Sequence, residues 1–163
     1  MSDLLLKMPM PFEPKRNNLW MIQFPTDIGI QQWTLLSAQR PQLQQSNVEM
    51  QFLNTSTFVS GRFVWQPISL TIRDAIGPSS AQAVMEWVRL QSESATGRKG
   101  YAAGYKKTLN LLMLDPTGVE IENWELQGCF LVDTVDFGSL SMDDDGISTI
   151  SMSIQYDRAI LKY

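Results

Sequence analysis

The stretch PISLTIRDAIGPSSAQAVMEWVRLQS, residues 67–92, decides the fold. From Pro67 to Arg73, apolar and polar side chains alternate, and this period of two predicts a strand with one buried face. Ser79 then precedes Gln82 by three residues, a capping box that marks a helix start. Because apolar residues recur at helical spacing beyond it, the sequence predicts an amphipathic helix over about 79–92.

Outside this stretch the chain has mainly the short apolar or alternating segments that are typical of strands. They lie at residues 19–24, 31–36, 109–114, 119–126, 130–142 and 150–156. Within 119–126 the apolar residues change from odd-numbered to even-numbered positions. This shift in the alternation predicts a β-bulge near Asn123. With no repeat and no break in composition, the chain is expected to be a single mainly β domain over 1–163 with one flanking helix.

Two segments are expected to project from this domain. Three prolines before Lys15 exclude a helix and a central strand, so residues 1–18 are predicted to form an extended N-terminal arm. Between the early strands and Pro67, alternating residues flank a polar turn and predict a β-hairpin over about 42–60. This hairpin is interpreted either as a plain surface hairpin or as a device for contacting a partner.

Composition excludes several kinds of catalytic and metal site. The chain contains no histidine, which removes histidine bases, histidine-dependent nucleophiles and histidine-ligated zinc. Cys129 is the single cysteine, so no internal disulfide or thiolate cage can form, and it is expected to be a small buried side chain. A formal charge of -4 is unlike the basic surplus of proteins that grip nucleic acid.

The remaining candidate motifs favour structural interpretations. Residues 97–107 hold three glycines and four basic side chains but match no phosphate-binding fingerprint, and a mobile connector is the better interpretation. Asp143–Asp145 lacks the glycine and glutamate positions of a calcium loop and is interpreted as a solvated turn. No catalytic residue, metal or cofactor is therefore predicted. No apolar run is longer than the four residues of Leu111–Leu114, which is too short for a membrane span, and no export signal is expected.

Six collinear segments carry a family resemblance over about residues 14–158. They are Asn18-Leu19-Trp20, Ile68 to Asp74, Val84-Met85-Glu86-Trp87, Tyr105-Lys106-Lys107, Glu125 to Phe130, and Gln155-Tyr156-Asp157. In this order they resemble the tail tube protein of contractile-tailed bacteriophages. The sequence departs from the family pattern at Leu131, where a proline often follows the aromatic residue.

The resemblance implies a β-barrel-like or sandwich-like subunit that is not an enzyme. Such subunits form six-membered rings that stack into a hollow tube inside a contractile sheath, and DNA passes through the tube without specific binding. The implied partners are copies of the chain itself, the tail sheath protein, and the baseplate and tube-terminator proteins. The implied location is the virion tail, with assembly in the host cytoplasm.

This resemblance suggests roles for exposed residues. The acidic candidates for the lumen wall are Glu49, Glu120 and Glu122, because an acidic wall repels DNA. The hairpin candidates for contacts between rings are Val48, Met50, Phe52, Asn54 and Phe58. Two alternatives stay open. One is the tube, or the baseplate tube initiator, of a related contractile injection or secretion system. The other is a monomeric β-barrel that binds a small ligand.

Overall fold

The computed structural model describes residues 11–163 and shows nine strands and two α-helices in that range. They are β1 (Trp20–Gln23), β2 (Leu35–Ala38), β3 (Gln42–Phe52), β4 (Thr55–Gln66), β5 (Ile68–Arg73), α1 (Ser80–Gln91), α2 (Ala102–Tyr105), β6 (Lys107–Leu114), β7 (Glu120–Asp136), β8 (Thr149–Gln155) and β9 (Arg158–Leu161). The predicted mainly β class with one flanking helix is confirmed. Residues 1–10 of the predicted arm lie outside the described residues, whereas 11–18 are in neither helix nor strand.

Seven strands form one antiparallel sheet in the order β1-β6-β7-β8-β5-β2, with β9 also paired to β7. The long strand β7 joins its two halves: Glu120 to Cys129 pairs with β6, and Phe130 to Asp136 pairs with β8. Both halves contribute to one apolar core. Its largest fully buried members are Trp87, Tyr156, Ile22, Ile68, Leu70, Ile72, Leu109, Leu126, Ile150, Met152 and Ile154.

Helix α1 has the start and the buried face that the sequence predicts. The Ser79 hydroxyl accepts a hydrogen bond from the Gln82 amide at 3.4 Å, so the helix begins with a side-chain cap. Val84 and Trp87 are buried, and the Trp87 indole donates to the Tyr105 carbonyl at 3.0 Å. The helix is therefore fixed to the sheet by apolar packing and by one hydrogen bond from its largest side chain.

The segment 31–36 is predicted from the sequence to be a strand, and this prediction is wrong for most of its length. A short 3-10 helix, Gln32–Thr34, occupies most of it, and the strand β2 begins only at Leu35. The buried Thr34 explains the difference, because its amide and its hydroxyl both donate to the Gln31 carbonyl, at 3.2 and 2.6 Å. This side-chain hydrogen bond closes a helical turn where the apolar pattern indicates extended backbone.

Gly128 allows β7 to pass from one half of the sheet to the other. Its φ is +70°, and a Cβ there would lie 2.2 Å from a carboxylate oxygen of Asp157. We expect Gly128→Ala to lower the free energy of unfolding by about 2 kcal/mol, because both the backbone and Asp157 would be strained. Gly104→Ala is the control, since no atom lies within 4 Å of its Cβ position. Urea unfolding that shows equal effects for both variants would contradict this prediction.

Candidate assembly surfaces

The β3–β4 hairpin projects from the body of the subunit. Its pairing runs from Gln42–Gln66 at the root to Phe52–Thr55 at the tip, and every residue of β3 is exposed. Among the described residues, the two strands pair only with each other. An isolated two-stranded hairpin is marginally stable in water, so these free edges are well suited to a partner. The predicted hairpin is confirmed, with a second arm that extends to Gln66.

A β-bulge at Gly61 explains why this arm is longer than predicted. The register shifts between Gln45 and Asn47, where Ser46 faces both Gly61 and Arg62. The Ser46 hydroxyl donates to the Arg62 carbonyl at 2.7 Å, and a Cβ on Gly61 would lie 2.5 Å from that hydroxyl oxygen. The glycine therefore permits a close approach of two strands and does not end the hairpin.

The predicted contact residues of the hairpin lie on three parts of it. Val48, Met50 and Phe52 alternate along one face, and each is at least half exposed. Phe58 pairs with Glu49 on the opposite face and is 60% exposed. Asn54 lies in the two-residue turn at the tip. Both faces consequently carry apolar side chains in water, a pattern that marks interaction surfaces.

Five further exposed apolar residues of the hairpin are absent from the predicted set: Leu43, Leu53, Val59, Phe63 and Val64. Leu53 is the most exposed of them at 87%, and its φ of +53° is uncommon for a residue with a side chain. Its apolar character within an otherwise polar turn is the signal that identifies it in the sequence. Phe63 and Val64 follow the bulge, and the alternation of β4 cannot be extrapolated across it.

The root of the hairpin is anchored in the core. Trp65 packs against the buried Tyr156, with their ring centroids 5.9 Å apart. The Gln155 amide also donates to the Trp65 carbonyl at 3.3 Å. Only Pro67 separates β4 from the core strand β5, so the direction of the hairpin is set by the body of the subunit.

Glu122 is the centre of a buried ionic cluster and is only 3% exposed. Arg40 and the Trp124 indole both donate to its Oε1, with Arg40 at 2.5 Å, and Lys15 forms an ion pair with its Oε2. These partners come from three separate parts of the chain: the N-terminal arm, the segment before β3, and β7 itself. One carboxylate therefore ties the arm and the hairpin root to the sheet.

The partners of Glu122 also determine its ionisation. Burial alone would raise the pKa of this carboxyl, but the hydrogen bonds from Lys15, Arg40 and Trp124 outweigh burial and hold the pKa at about 2. The carboxylate is therefore charged at neutral pH. Because Lys15 and Arg40 together carry two positive charges, the cluster keeps one net positive charge at the half-exposed ends of these two side chains.

The three predicted lumen acids are in different environments. A register shift lies at Ile121, two residues before the predicted position near Asn123, and it places Glu120 and Glu122 on opposite faces of β7. Glu120 is exposed and accepts a hydrogen bond from the Tyr163 hydroxyl at 2.6 Å. Glu49 is exposed on the hairpin. Glu122 is not a surface acid and cannot contribute an exposed charge to a channel wall.

A half-open cavity of about 190 Å³ lies beside the hairpin root. Trp20, Leu111 and Met113 supply apolar walls from β1 and β6, and Ala38 adds a fourth from β2. Its polar side chains come from Asn17, Gln39 and Arg40. Arg40 therefore takes part in both the Glu122 cluster and the rim of this cavity.

The basic loop over 97–107, predicted to be a connector, includes the four-residue helix α2 and a β-bridge from Ser92 to Lys99. Lys106 pairs with Asp157 at 3.0 Å and Lys107 with Asp27 at 2.5 Å, so both lysines have acidic partners within the subunit.

The other candidate positions offer little chemistry. Asp143–Asp145 lies in an exposed loop with a turn, and no cluster of three metal-ligating side chains occurs within residues 11–163. Cys129 is fully buried, and burial raises the pKa of its thiol to about 12, so it is unreactive at neutral pH. In the described part of the chain, no helix has the length and apolar character to cross a membrane.

Comparison with solved structures gives the class of protein that has this fold. The chain has the fold of the tube and tube-terminator proteins of contractile injection systems, which the Hcp proteins share. No family model and no curated protein sequence matches it. At 10 to 13% identity, the similarity to these structures establishes the fold alone.

Three solved structures illustrate this similarity. The tube-terminating cap of the anti-feeding prophage has a TM-score of 0.74 at 13% identity, with 99% of each chain covered. The sheath-tube complex of an extracellular contractile injection system, PVC, gives a TM-score of 0.68 at 13% identity, covering 99% of this chain and 96% of that one. Hcp1 from Flavobacterium johnsoniae gives 0.53 at 10% identity, covering 88% and 94%.

Proposed function

We propose that this chain is a structural subunit of the inner tube of a contractile injection apparatus, and that its six-membered rings stack into a hollow conduit. The observation that carries this proposal is the β3–β4 hairpin, which has two free edges and exposed apolar side chains on both faces. A projecting element that docks elsewhere on an identical copy makes a head-to-tail contact, and such contacts build filaments when they do not close. The similarity in fold to tube proteins supports the same conclusion.

A tube terminator is the second candidate function. The tube-terminating cap and the sheath/tube terminator have TM-scores of 0.74 and 0.70 with this chain, and each is covered to 99% of its length. A terminator would bind a tube end and would not continue the tube. The two candidates therefore differ in whether the pure protein polymerises.

Electron microscopy and light scattering of the concentrated pure protein test both candidates. Sixfold rings and long filaments are expected for a tube subunit. Rings that never stack, but that shorten preformed tubes, would identify a terminator. A protein that stays monomeric at every salt and protein concentration would contradict both functions and would favour the small-ligand-binding alternative.

In this proposal the chain works inside a larger particle, the virion tail or a related injection particle. Its partners are other copies of itself, the sheath protein, and the baseplate and terminator proteins. Sheath-tube, baseplate and terminator assemblies are represented among the solved structures with this fold. The bacteriophage tail with DNA as cargo remains the specific version of the proposal, and its particle would assemble in the host cytoplasm.

Glu120 is our candidate for an acidic lumen wall, because it is exposed on the sheet body. Repeated around each ring, its charge would make a continuous field that repels DNA. We expect tubes of Glu120→Lys to assemble normally and to retain DNA at low salt, with retention lost as salt rises. A filter-binding assay measures this, with Glu86→Lys on α1 as the control. Equal DNA retention by the two variants would contradict the lumen position.

A further inference from the structure

The cavity at the hairpin root has the character of a socket for an apolar side chain. Its volume is about 190 Å³, its walls include Trp20, Leu111 and Met113, and its rim is polar. An apolar pocket with a polar rim is suited to one aromatic or aliphatic anchor that is presented by a polar segment.

The tip of the hairpin presents such an anchor. Phe52 and Leu53 are 74% and 87% exposed, and the next residues of the turn are polar. Leu53 has a φ of +53°, so the chain holds an apolar side chain in water on an uncommon backbone conformation. Burial of this tip would remove both apolar side chains from water.

Tip and cavity cannot meet within one copy. Arg40, on the rim, lies two residues before β3 begins, whereas Phe52 is the last residue of β3. Eleven strand residues at about 3.3 Å each separate them by roughly 36 Å. If a second copy is displaced along the hairpin by about this length, the cavity of the second copy lies at the hairpin tip of the first.

The charges of the two surfaces are complementary. Glu49 is the only ionisable residue within 47–60. Phe52 lies three positions further along the strand, at a distance of roughly 10 Å. Near the cavity, the half-exposed Lys15 and Arg40 share the single carboxylate of Glu122 and keep one net positive charge. An inserted tip would place Glu49 near these two cations.

We propose that the hairpin tip, Phe52 and Leu53, inserts into the root cavity of a second copy of this chain, with Glu49 against Lys15 and Arg40. This inference rests on the proposed tube function and assigns Glu49 to the contact between copies and not to the lumen wall. Each copy offers one tip and one cavity, so the contact continues from copy to copy along a filament.

Disulfide crosslinking tests this contact directly. The double variant Leu53→Cys with Asn17→Cys places one thiol at the tip and one on the cavity rim, while the native Cys129 is buried and inert. Under mild oxidation of the assembled protein we expect a ladder of covalent multimers. A mixture of the two single variants should give dimers that contain one copy of each. In the control, Ala95→Cys in an exposed loop replaces Asn17→Cys.

The outcomes separate this inference from the proposed function. Filaments without a ladder, or with the same ladder in the Ala95→Cys control, would overturn the docking contact and leave the tube function intact. A protein that forms neither filaments nor a ladder would overturn both. If Leu53→Cys itself prevents assembly, Asn54→Cys carries the thiol at the next position of the turn, and the same ladder with Asn17→Cys is expected.

Discussion

Replacing Glu122 by glutamine is expected to lower the free energy of unfolding at pH 7 by about 2 to 3 kcal/mol. The physical reason is the difference between the ordinary pKa of 4.5 and the value of about 2 in the folded protein. Glutamine keeps the shape of the side chain but loses the charge that holds Lys15 and Arg40. Because both cations are half exposed, water recovers part of the lost interaction, which keeps the effect below that of a fully buried pair.

Urea unfolding measures this effect, with Glu120→Gln as the matched control. Glu120 lies on the same strand but is exposed, so its replacement should change the free energy of unfolding by no more than about 0.5 kcal/mol. Equal values for the two variants would show that the buried cluster does not stabilise the fold.

The same substitution has a predictable dependence on pH. The folded pKa of Glu122 lies below its unfolded value, so its contribution to stability is complete above about pH 4.5 and is lost as the pH falls toward 2. The stability difference between the parent protein and Glu122→Gln should therefore shrink over this interval. Other acids titrate there too, but their effects cancel in the difference between two otherwise identical chains. Thermal unfolding from pH 2 to 7 that gives a constant difference would contradict this assignment.

The cluster also links two segments outside the core strands to the sheet. Lys15 belongs to the N-terminal arm, and Arg40 lies between β2 and the hairpin. In Glu122→Gln, hydrogen exchange should accelerate around residues 15 and 40 before it accelerates in the core strands. The carboxylate of Glu122 therefore fixes both the N-terminal arm and the segment that leads into the hairpin.

The elements with local signals were predictable from the sequence. Helix α1 follows from the Ser79 cap and its apolar period, and the hairpin follows from alternation around a polar turn. The tail tube fold was predicted from the collinear resemblance and is confirmed by the solved structures, while the phage assignment remains a prediction.

The cluster around Glu122 could not be predicted in the same way. Glu122 alternates with apolar neighbours, and this pattern indicates a solvent-facing side chain. That interpretation is wrong, because a register shift at Ile121 turns Glu122 to the buried face of the strand. The partners Lys15 and Arg40 are 107 and 82 residues away in the chain, so only the folded structure brings them together. The bulge at Gly61 likewise shifts the alternation along β4, so the sequence alone does not show on which faces Phe63 and Val64 lie.

The hairpin is where the largest effect on assembly is expected. Replacing Met50 by aspartate should raise the protein concentration required for assembly by at least about tenfold, and the fold should be unchanged. Met50 is 50% exposed in the subunit and lies between Val48 and Phe52 on one face, so a polar side chain is tolerated there before assembly. In an assembled contact, however, the carboxylate would be desolvated without a partner, at a cost of a few kcal/mol. Every 1.4 kcal/mol corresponds to a factor of ten in affinity.

Light scattering against protein concentration measures this shift, and thermal unfolding of the dilute subunit verifies the fold. Ala95→Asp is the matched control, because it adds the same charge to an exposed loop that lies outside the hairpin. Its assembly threshold should equal that of the parent protein, because its carboxylate stays in water. If Met50→Asp assembles at the parent threshold, this face of the hairpin stays in solvent within the tube. The contact between copies would then have to use the opposite face, around Phe58 and Phe63, or another part of the subunit.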